Sequence, residues 1–306
     1  MKKSLLTLAF CTASLLAGAQ VVEVQSVTKV PVAGDLAVNI PRVSPDGRFA
    51  IVSTCDDNTL HRVDLTTGVT EKVADNGSAL HLSFTPDGDN IVFKSSTTAQ
   101  DRRRFYAVKL VELGTGYTRN LSKPARHCAG FTVSPAGVLS LSEAGRFSAQ
   151  QLRGGSATAT PVIGQPVVNI HYGHLELTMP DGTVTNLDPQ GRGSYLWPNL
   201  SPDGTKISYF LVGKGCFVCD LDGTNVRPMG YFRAPAWLGN DALVAVDDEF
   251  DGDGIVAASI VAISLDGTVQ TLTDNTVAAF NPWATADGKH ITFSSAEGDL
   301  YVINLK

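Results

Sequence analysis

The chain lacks most of the sequence features that would assign it to a familiar enzyme or membrane class. Among its 306 residues are only five cysteines, three tryptophans and three methionines. Beyond the N-terminus, no apolar run approaches the roughly 20 residues that a membrane-spanning helix needs. No G-x-S-x-G, H-E-x-x-H or phosphate-binding glycine motif is present. No local motif therefore assigns a catalytic activity, and an active site assembled from scattered positions stays open as an alternative.

The chain also lacks a basic excess. It has 24 Lys and Arg against 30 Asp and Glu, which gives a formal net charge of −6. Nucleic acid and anionic lipid both select a basic surface, so this balance argues against both as partners. Heptad runs, low-complexity linkers and helical patterns are absent as well. We therefore expect a single domain over residues 20–306 that does not span a membrane.

The first 19 residues have the pattern of a secretory signal peptide. Lys2 and Lys3 precede an apolar run from Leu5 to Leu16, and the small residues Ala17 to Ala19 follow as a cleavage site. Cleavage near Ala19 would change the formal charge from −6 to −8. We therefore expect a periplasmic or secreted protein.

Two cysteine features invite a functional interpretation. Cys11 is a potential lipidation site, but the bulky Phe10 precedes it where a small residue is wanted. Cys216 and Cys219 form a C-x-x-C pattern inside a predicted strand, where residues three apart point to opposite faces. A redox pair instead requires a helix N-terminus that lowers a thiol pKa. We interpret Cys216 and Cys219 as small buried side chains.

One turn sequence recurs along the chain, each time between two strand-like apolar runs. Proline sets φ at the second position of this turn, and glycine supplies the positive φ at the fourth. Self-similarity at a period of about 40–50 residues indicates a propeller or a solenoid. The copies are Ser44–Gly47, Thr85–Gly88, Ser134–Gly137, Ser201–Gly204 and the weaker Thr285–Gly288.

A second hairpin follows each turn, and the number of these hairpins gives the number of repeats. The clearest has Asp266-Gly267 between two alternating runs, which is a strong hairpin signal. Seven such hairpins predict an all-β chain, a β-propeller of seven blades. Six blades is the alternative, because residues 165–192 offer only one strand before their hairpin. The last hairpin lacks a strand, and we expect Val21 to Val32 to pair with Leu300 to Leu305 and close the ring.

The repeat resembles the Pro-Asp, WD40-like repeats of TolB-like β-propellers. The segment from Tyr195 to Ile207 carries the closest match, and the resemblance extends over nearly all of residues 20–306. It implies a propeller that serves mostly as a periplasmic binding platform, or as an accessory domain of prolyl-oligopeptidase-type hydrolases. The chain lacks the additional α/β domain of TolB and has no room for a hydrolase domain. The resemblance therefore specifies the fold more closely than the function.

Propellers usually bind ligands at one mouth of the central channel, where the innermost strands begin. Aromatic, imidazole and polar residues near those positions form a candidate ligand site. The alternative is that the tryptophans are wedged between blades and the histidines cap strand ends. The candidate residues are Arg42, His81, His127, His171, Trp197, Asn199, Trp237 and Trp283.

Two segments have weak metal-binding patterns, and otherwise we expect no cofactor. Asp247, Glu249, Asp251 and Asp253 place carboxylates at alternate positions near a glycine, as a Ca²⁺ loop does. The bidentate acid that such a loop needs is missing, since Ala258 occupies its position, so a solvated loop is the alternative. The second segment holds His171 and His174, which a turn at Gly173 would bring together without a third ligand nearby.

These observations favour an exported, non-catalytic β-propeller that binds a protein or a cell-envelope component. The alternative is a propeller enzyme, a polysaccharide lyase or hydrolase or a peptidase-like protein, with channel histidines as acid, base or metal ligand. A structural subunit of a larger complex is a third reading.

Overall fold

The computed structural model describes residues 20–54, 58–127, 129–143, 146–152 and 163–306. The predicted signal peptide, with Cys11, lies outside these residues. In the described part of the chain the regular structure is entirely β, with 26 strands. The search of these residues for a helix long and apolar enough to cross a membrane finds none.

The first three sheets take the chain from its first repeat to residue 152. Sheet 1 contains β2 (Val38–Val43), β3 (Phe49–Thr54), β4 (Leu60–Asp64) and β5 (Thr70–Ala74). Sheet 2 contains β6 (Gly77–Phe84), β7 (Asn90–Thr98), β8 (Arg104–Glu112) and β9 (Thr118–Asn120). Sheet 3 contains β10 (Gly130–Val133), β11 (Val138–Glu143) and β12 (Arg146–Gln151).

The other four sheets complete the described chain. Sheet 4 contains β13 (Val167–His171), β14 (His174–Thr178) and β15 (Val184–Asn186). Sheet 5 contains β16 (Tyr195–Leu200), β17 (Lys206–Leu211), β18 (Gly215–Asp220) and β19 (Arg227–Gly230). Sheet 6 contains β20 (Arg233–Leu238), β21 (Ala242–Phe250), β22 (Ile255–Ser264) and β23 (Val269–Thr271). Sheet 7 contains β24 (Ala279–Ala284), β25 (His290–Ser295), β26 (Leu300–Leu305) and the N-terminal β1 (Val24–Lys29).

The first strand of each sheet faces a common centre. Each of these inner strands contacts the inner strand of the next sheet, and β24 of sheet 7 contacts β2 of sheet 1. The sheets therefore follow one another around a ring, and the chain is a β-propeller, as its sequence predicts. Residues 165–192 contribute a sheet of their own, three strands wide, so that the described residues form seven sheets.

The first and last strands of the described residues meet in sheet 7. Strand β1 pairs antiparallel with β26, with Val27 opposite Ile303. Beyond the strand, the amide of Val30 donates to the carbonyl of Leu300 over 2.8 Å, and the Val30 side chain is buried. Lys29 forms an ion pair with Asp299 at 2.6 Å. This pairing supplies the fourth strand that the C-terminal hairpin lacks.

The recurring tetrapeptide is a hydrogen-bonded turn between the inner strand and the next. In the first copy the Ser44 hydroxyl donates to the Asp46 carboxylate over 2.7 Å, and Gly47 has a φ of 70°. Partial burial raises the pKa of Asp46, but hydrogen bonds from Ser44 and Arg48 outweigh it, so the pKa lies below its usual range. The same hydroxyl–carboxylate bond recurs in the copies that begin at Thr85, Ser201 and Thr285. The tetrapeptide is thus a structural element.

The hydrophobic core lies between successive sheets. The C-x-x-C segment shows how one strand serves two of these layers, since Cys216 packs with the cluster around Phe210 and Cys219 with the cluster around Tyr209. Both thiols are buried and free. Burial raises the pKa of each to about 12, so neither is a thiolate at neutral pH. Their interpretation as small buried side chains agrees with this arrangement.

Removal of the N-terminal strand tests how much the ring depends on its closure. A chain that begins at Ala33 loses the β1 pairing and exposes the edge of β26. We expect the free energy of unfolding to fall by about 3 kcal/mol or more, because the buried Val30 and a whole strand pairing are lost. Urea denaturation of the two chains measures this difference, and equal midpoints would contradict the role assigned to β1.

A pair of point substitutions separates closure from any effect of chain length. Val30→Ser empties a position that is 2% exposed, and we expect a loss of about 2 kcal/mol. Val27→Ser, at a position 45% exposed three residues earlier, is the matched control, with an expected change within about 0.5 kcal/mol.

Candidate functional site

The inner strands are irregular at the point where they face the channel. Five of the seven change register there, namely β2, β6, β16, β20 and β24. In three of these five a proline lies within the irregularity, namely Pro198, Pro235 and Pro282, and in β2 Pro41 follows the irregularity directly. Proline has no amide hydrogen to donate, and it is tolerated here because an inner strand has a sheet neighbour on one side only. The free side of that strand faces the channel.

Strands β16, β20 and β24 each present two side chains to the cavity, on either side of the proline. Trp197, Ala234 and Asn281 precede their prolines and have φ values of 48°, 50° and 54°, in the left-handed region. This conformation, rare for residues other than glycine, turns the backbone so that the residue before the proline and the residue after it both line one cavity. The residues after the prolines are Arg42, Asn199, Ala236 and Trp283.

The cavity at this mouth has a volume of about 680 Å³ and receives residues from all seven inner strands. Such a volume accommodates an organic ligand of moderate size. Seven of the eight residues that the sequence proposes for the mouth line it: Arg42, His81, His127, His171, Trp197, Asn199 and Trp283.

The structure places Trp237 elsewhere. It is 6% exposed and packs between sheets 5 and 6 in the cluster of Phe210 and Leu243. Its indole nitrogen donates to the carbonyl of Asn199 over 3.0 Å. Trp237 lies one residue beyond the position that faces the cavity, since Ala236 is the residue equivalent to Trp283. Neighbouring residues of a strand point to opposite sides, so the Trp237 side chain points away from the cavity. Trp237 is wedged between blades, which is the alternative that the sequence left open.

Arg42 is the most deeply buried charged residue of the site, with 5% of its surface exposed. Its guanidinium lies 4.0 Å from the ring centre of Trp283 and donates to the carbonyls of Pro41 and Leu80 over 3.1 and 3.3 Å. Its Nε has no hydrogen-bond partner among the described residues. Desolvation lowers the pKa of Arg42 to about 9, so the side chain stays cationic at neutral pH.

His81 lies beside this cation. Its ring is open to the cavity but closely surrounded by protein atoms. Desolvation, together with the positive charges of Lys94 and Arg42, holds the pKa of His81 well below its usual value of 6.5. His81 is therefore neutral at physiological pH and is able to donate and accept one hydrogen bond each.

A second imidazole group lines the cavity where sheets 3 and 4 border it. The Tyr172 hydroxyl and His127 Nε2 are 3.1 Å apart, and the rings of His127 and His171 make an edge contact at 6.0 Å. Behind the cavity wall, Nδ1 of His171 is 2.9 Å from a carboxylate oxygen of Glu176. This carboxylate orients the ring and favours a proton on the nitrogen that faces it.

Polar contacts between neighbouring blades fix other side chains of the lining. The Asn199 amide donates to the carbonyls of Trp197 and Pro235, both over 3.1 Å. The Asn281 amide donates to the carbonyl of Asn39 over 2.9 Å. The bonds to Pro235 and Asn39 join adjacent inner strands, so this part of the lining is held in place without a ligand.

Sequence reasoning missed several residues of the lining. Lys94 lies on β7, the second strand of its sheet, and its Nζ is 3.3 Å from the Asn169 side-chain oxygen. Arg126 and Tyr106 reach the cavity from outside the inner strands. Asn281 had a usable signal, because Asn281-Pro282 repeats the arrangement of Trp197-Pro198. The other positions have no counterpart in the repeat, so spacing along the chain did not reveal them.

The first half of the acidic run of sheet 6 lies in β21, which corrects the expectation of a loop for Asp247 and Glu249, and residues 251–254 form the turn. Asp247 and Glu249 belong to β21 and face Ser259 and Ala257 across the hairpin. The Asp251 carboxylate accepts the backbone amides of Asp253 and Gly254 over 2.9 and 3.0 Å and so stabilises the turn. Within the described ranges, no group of three or more His, Cys, Asp or Glu residues is placed to hold a metal ion. Calcium binding by this run stays a prediction.

The two histidines of the β13–β14 hairpin contact different carboxylates. His171 faces the cavity and contacts Glu176, whereas Nδ1 of His174 is 2.5 Å from Asp188. His174 does not line the cavity. Each ring therefore has its own carboxylate.

Comparison with known proteins supports the fold. No protein-family model matches the chain, and neither does any curated protein. A putative TolB from Agrobacterium tumefaciens has 19% identity, covers 89% of this chain and 91% of its own, and has a TM-score of 0.56. A chain of the mitotic checkpoint complex has 10% identity, coverage of 99% and 98%, and a TM-score of 0.55.

A third solved structure, oligogalacturonate lyase in complex with manganese, has 16% identity, coverage of 87% and 76%, and a TM-score of 0.46. At identities this low, the TolB and checkpoint structures establish the β-propeller fold alone. The TolB-like repeat family stays a prediction. Since one fold supports many functions, function has to be argued from the cavity.

The lowered pKa of His81 has a measurable consequence. The unfolded chain binds a proton below about pH 6.5, while folded His81 does not, so this residue lowers stability as the pH falls below that value. We expect the His81 resonance in an NMR titration to show a neutral ring at about pH 5.5. The variant His81→Gln identifies the resonance and should lose less stability between about pH 7 and pH 5. A midpoint near the usual value would contradict the assignment.

Proposed function

We propose that the protein is an exported binding platform whose channel mouth receives a ligand presented by a protein or by another component of the cell envelope. The observation that carries this proposal is the cavity of about 680 Å³, built from all seven inner strands and lined by seven of the eight residues proposed from the sequence. A pocket of this kind, mostly apolar and with a few oriented polar groups, is typical of a binding site.

The lining is organised before any ligand arrives. Asn199 and Asn281 are bonded to backbone carbonyls of neighbouring strands, and Arg42 is stacked on Trp283. A preorganised site loses less side-chain entropy on binding, which leaves more of the contact energy as affinity. Aromatic residues at the rim, Tyr172 and Trp197, supply the large rigid surfaces that dominate binding energy in many interfaces.

The predicted export of the chain favours a partner in the cell envelope, because an exported protein meets components of the envelope. The pattern of residues 1–19 is that of a signal peptide, and the remaining chain carries no sequence signal for a nucleic-acid partner. The location in the periplasm or outside the cell remains part of this proposal.

A matched pair of tyrosine variants tests whether the mouth binds the partner. Tyr172 lines the cavity and is 75% exposed, while Tyr117 is 56% exposed and does not line it. Asparagine is chosen at both sites because it tolerates the φ of 50° at Tyr172. We expect Tyr172→Asn to weaken partner binding by about 2 kcal/mol, roughly 30-fold, and Tyr117→Asn to leave it unchanged.

The measurement uses the immobilised full-length exported chain and an envelope extract of the source organism, with bound material quantified by mass spectrometry. Recovery of one partner by the unaltered protein and by Tyr117→Asn, and its loss with Tyr172→Asn, would support the proposal. Equal recovery by both variants, or no specific partner, would refute binding at the mouth.

One observation favours the enzyme alternative as a second candidate. Glu176 and His171 form a carboxylate–imidazole pair at 2.9 Å whose ring faces the cavity. Such a pair serves as a general base in many enzymes, because the carboxylate orients the imidazole and stabilises its protonated form. The Tyr172 hydroxyl, on the same hairpin, adds a potential proton donor.

The His174–Asp188 pair outside the cavity provides the control for this candidate. In an activity screen with envelope polysaccharides and peptides, His171→Gln should reduce any turnover roughly 10²–10⁴-fold. His174→Gln should leave turnover intact, since this ring does not line the cavity. Absence of turnover by the unaltered protein, or an equal loss in both variants, would exclude His171 as a general base.

A further inference from the structure

The described lining of the mouth cavity has charges of one sign only. Arg42, Lys94 and Arg126 all line it, together with three histidines, whereas no Asp or Glu is among the described lining residues. The chain as a whole has the opposite balance, with 30 acidic against 24 basic residues. The described lining is therefore a local positive region in an acidic protein, and such a region attracts anions.

Arg42 gives the strongest reason to expect an anion. The side chain is 95% buried, yet desolvation alone shifts its pKa, and no carboxylate of the described residues pairs with it. A buried charge without a countercharge is costly, and proteins normally supply one. Two of the guanidinium nitrogens donate to carbonyl oxygens, but Nε has no partner in the described part of the chain. The countercharge and the missing acceptor would both come from a ligand.

The other cations extend this positive region along the cavity. The charges of Arg42 and Lys94 both act on His81, which places both cations near one ring. Arg126 is exposed at the rim, next to His127. The region thus runs from the buried Arg42 to the solvent, as a site does that draws a charged group inward.

Flat aromatic surfaces accompany the cations. Trp283 carries the Arg42 guanidinium on its face, and Trp197 is half-buried in the same lining. Tyr106 and Tyr172 line other parts of the wall. A ligand that satisfies this lining combines an anionic group with a body that packs against aromatic rings. Guanidinium groups match the planar geometry of carboxylates.

We infer that the mouth cavity binds a carboxylate-bearing organic ligand, with Arg42, Lys94 and Arg126 supplying the positive charge and Trp197 and Trp283 the apolar contact surface. This inference rests on the proposed function, because it specifies the ligand of the same cavity. An acidic sugar and an acidic peptide segment both present the required chemistry, and the experiment separates these two sources.

Fluorescence of the native tryptophans provides a direct readout, since two of the three tryptophans line the cavity. The probes are a tetraglutamate peptide and its tetraglutamine counterpart, and a hexuronate disaccharide and the neutral disaccharide cellobiose. We expect one acidic probe to bind at least about tenfold more tightly than its neutral counterpart, and added salt to weaken that binding. The acidic probe that binds identifies the source of the carboxylate.

Charge variants locate the binding within the cavity. Arg126→Glu reverses an exposed charge of the lining, and we expect the affinity for the acidic probe to fall at least about tenfold. Arg227→Glu makes the same change on the outer strand β19, where Arg227 is exposed and outside the cavity, and should leave the affinity within about twofold.

Arg42→Gln tests the buried charge, with thermal melting as a second measurement. We expect loss of acidic-probe binding together with a ligand-free melting temperature within a few degrees of the original, because a charge without a countercharge is removed. A large fall in melting temperature with unchanged probe affinity would show that Arg42 is structural and would overturn its role in binding.

Three other outcomes overturn the inference. Equal affinity for acidic and neutral probes would refute charge selection while leaving the cavity as a binding site. No binding of either acidic probe at millimolar concentration would refute the carboxylate class. Equal weakening by Arg126→Glu and Arg227→Glu would show a general charge effect. The partner-recovery experiment with Tyr172→Asn judges the proposed function independently of all three.

Discussion

The pairing of β1 with β26 is the constraint on which the rest of the molecule depends. A ring of sheets holds a fixed diameter only if its last sheet is complete and contacts the first. In this chain the completing strand comes from the other terminus, so the two ends of the polypeptide are joined by backbone hydrogen bonds. The inner strands then stay at fixed distances from one another, and side chains far apart in sequence, such as Arg42 and Trp283, remain in contact. The geometry of the cavity follows from this closure.

The inner strands combine two requirements that conflict in most sheets. They need a regular ladder on the side of the neighbouring strand, and they need to direct selected side chains into the channel. The irregularity at Pro198, Pro235 and Pro282 meets both, because the missing amide hydrogen of proline is tolerated on a strand that has one free side. The left-handed residue before each proline is the local conformational cost of this arrangement.

The repeat made the fold predictable, because each copy of its turn joins an inner strand to the next and Asp-Gly marks the following hairpin. The site was predictable where it follows the same repeat, as for Arg42, Trp197, Asn199 and Trp283. Trp237 is the exception, because strand register decides which side chains face the cavity. The buried Trp237 is only one residue away from the cavity-lining Ala236. Lys94, Arg126 and the contact of His171 with Glu176 depend on the arrangement of sheets in space. No spacing in the sequence encodes that arrangement.

The equivalent positions around the mouth have a consequence for how such a protein changes over time. The residue after the proline is arginine, asparagine, alanine or tryptophan in the four inner strands that contain one, although it stands at an equivalent place in each strand. The scaffold thus accommodates very different side chains at one structural position, since that position borders the cavity, where side chains of different size find room. Substitution of this side chain in one blade can therefore change which ligand the cavity selects, while the ring of sheets stays intact. The mouth is a set of interchangeable positions on a fixed frame.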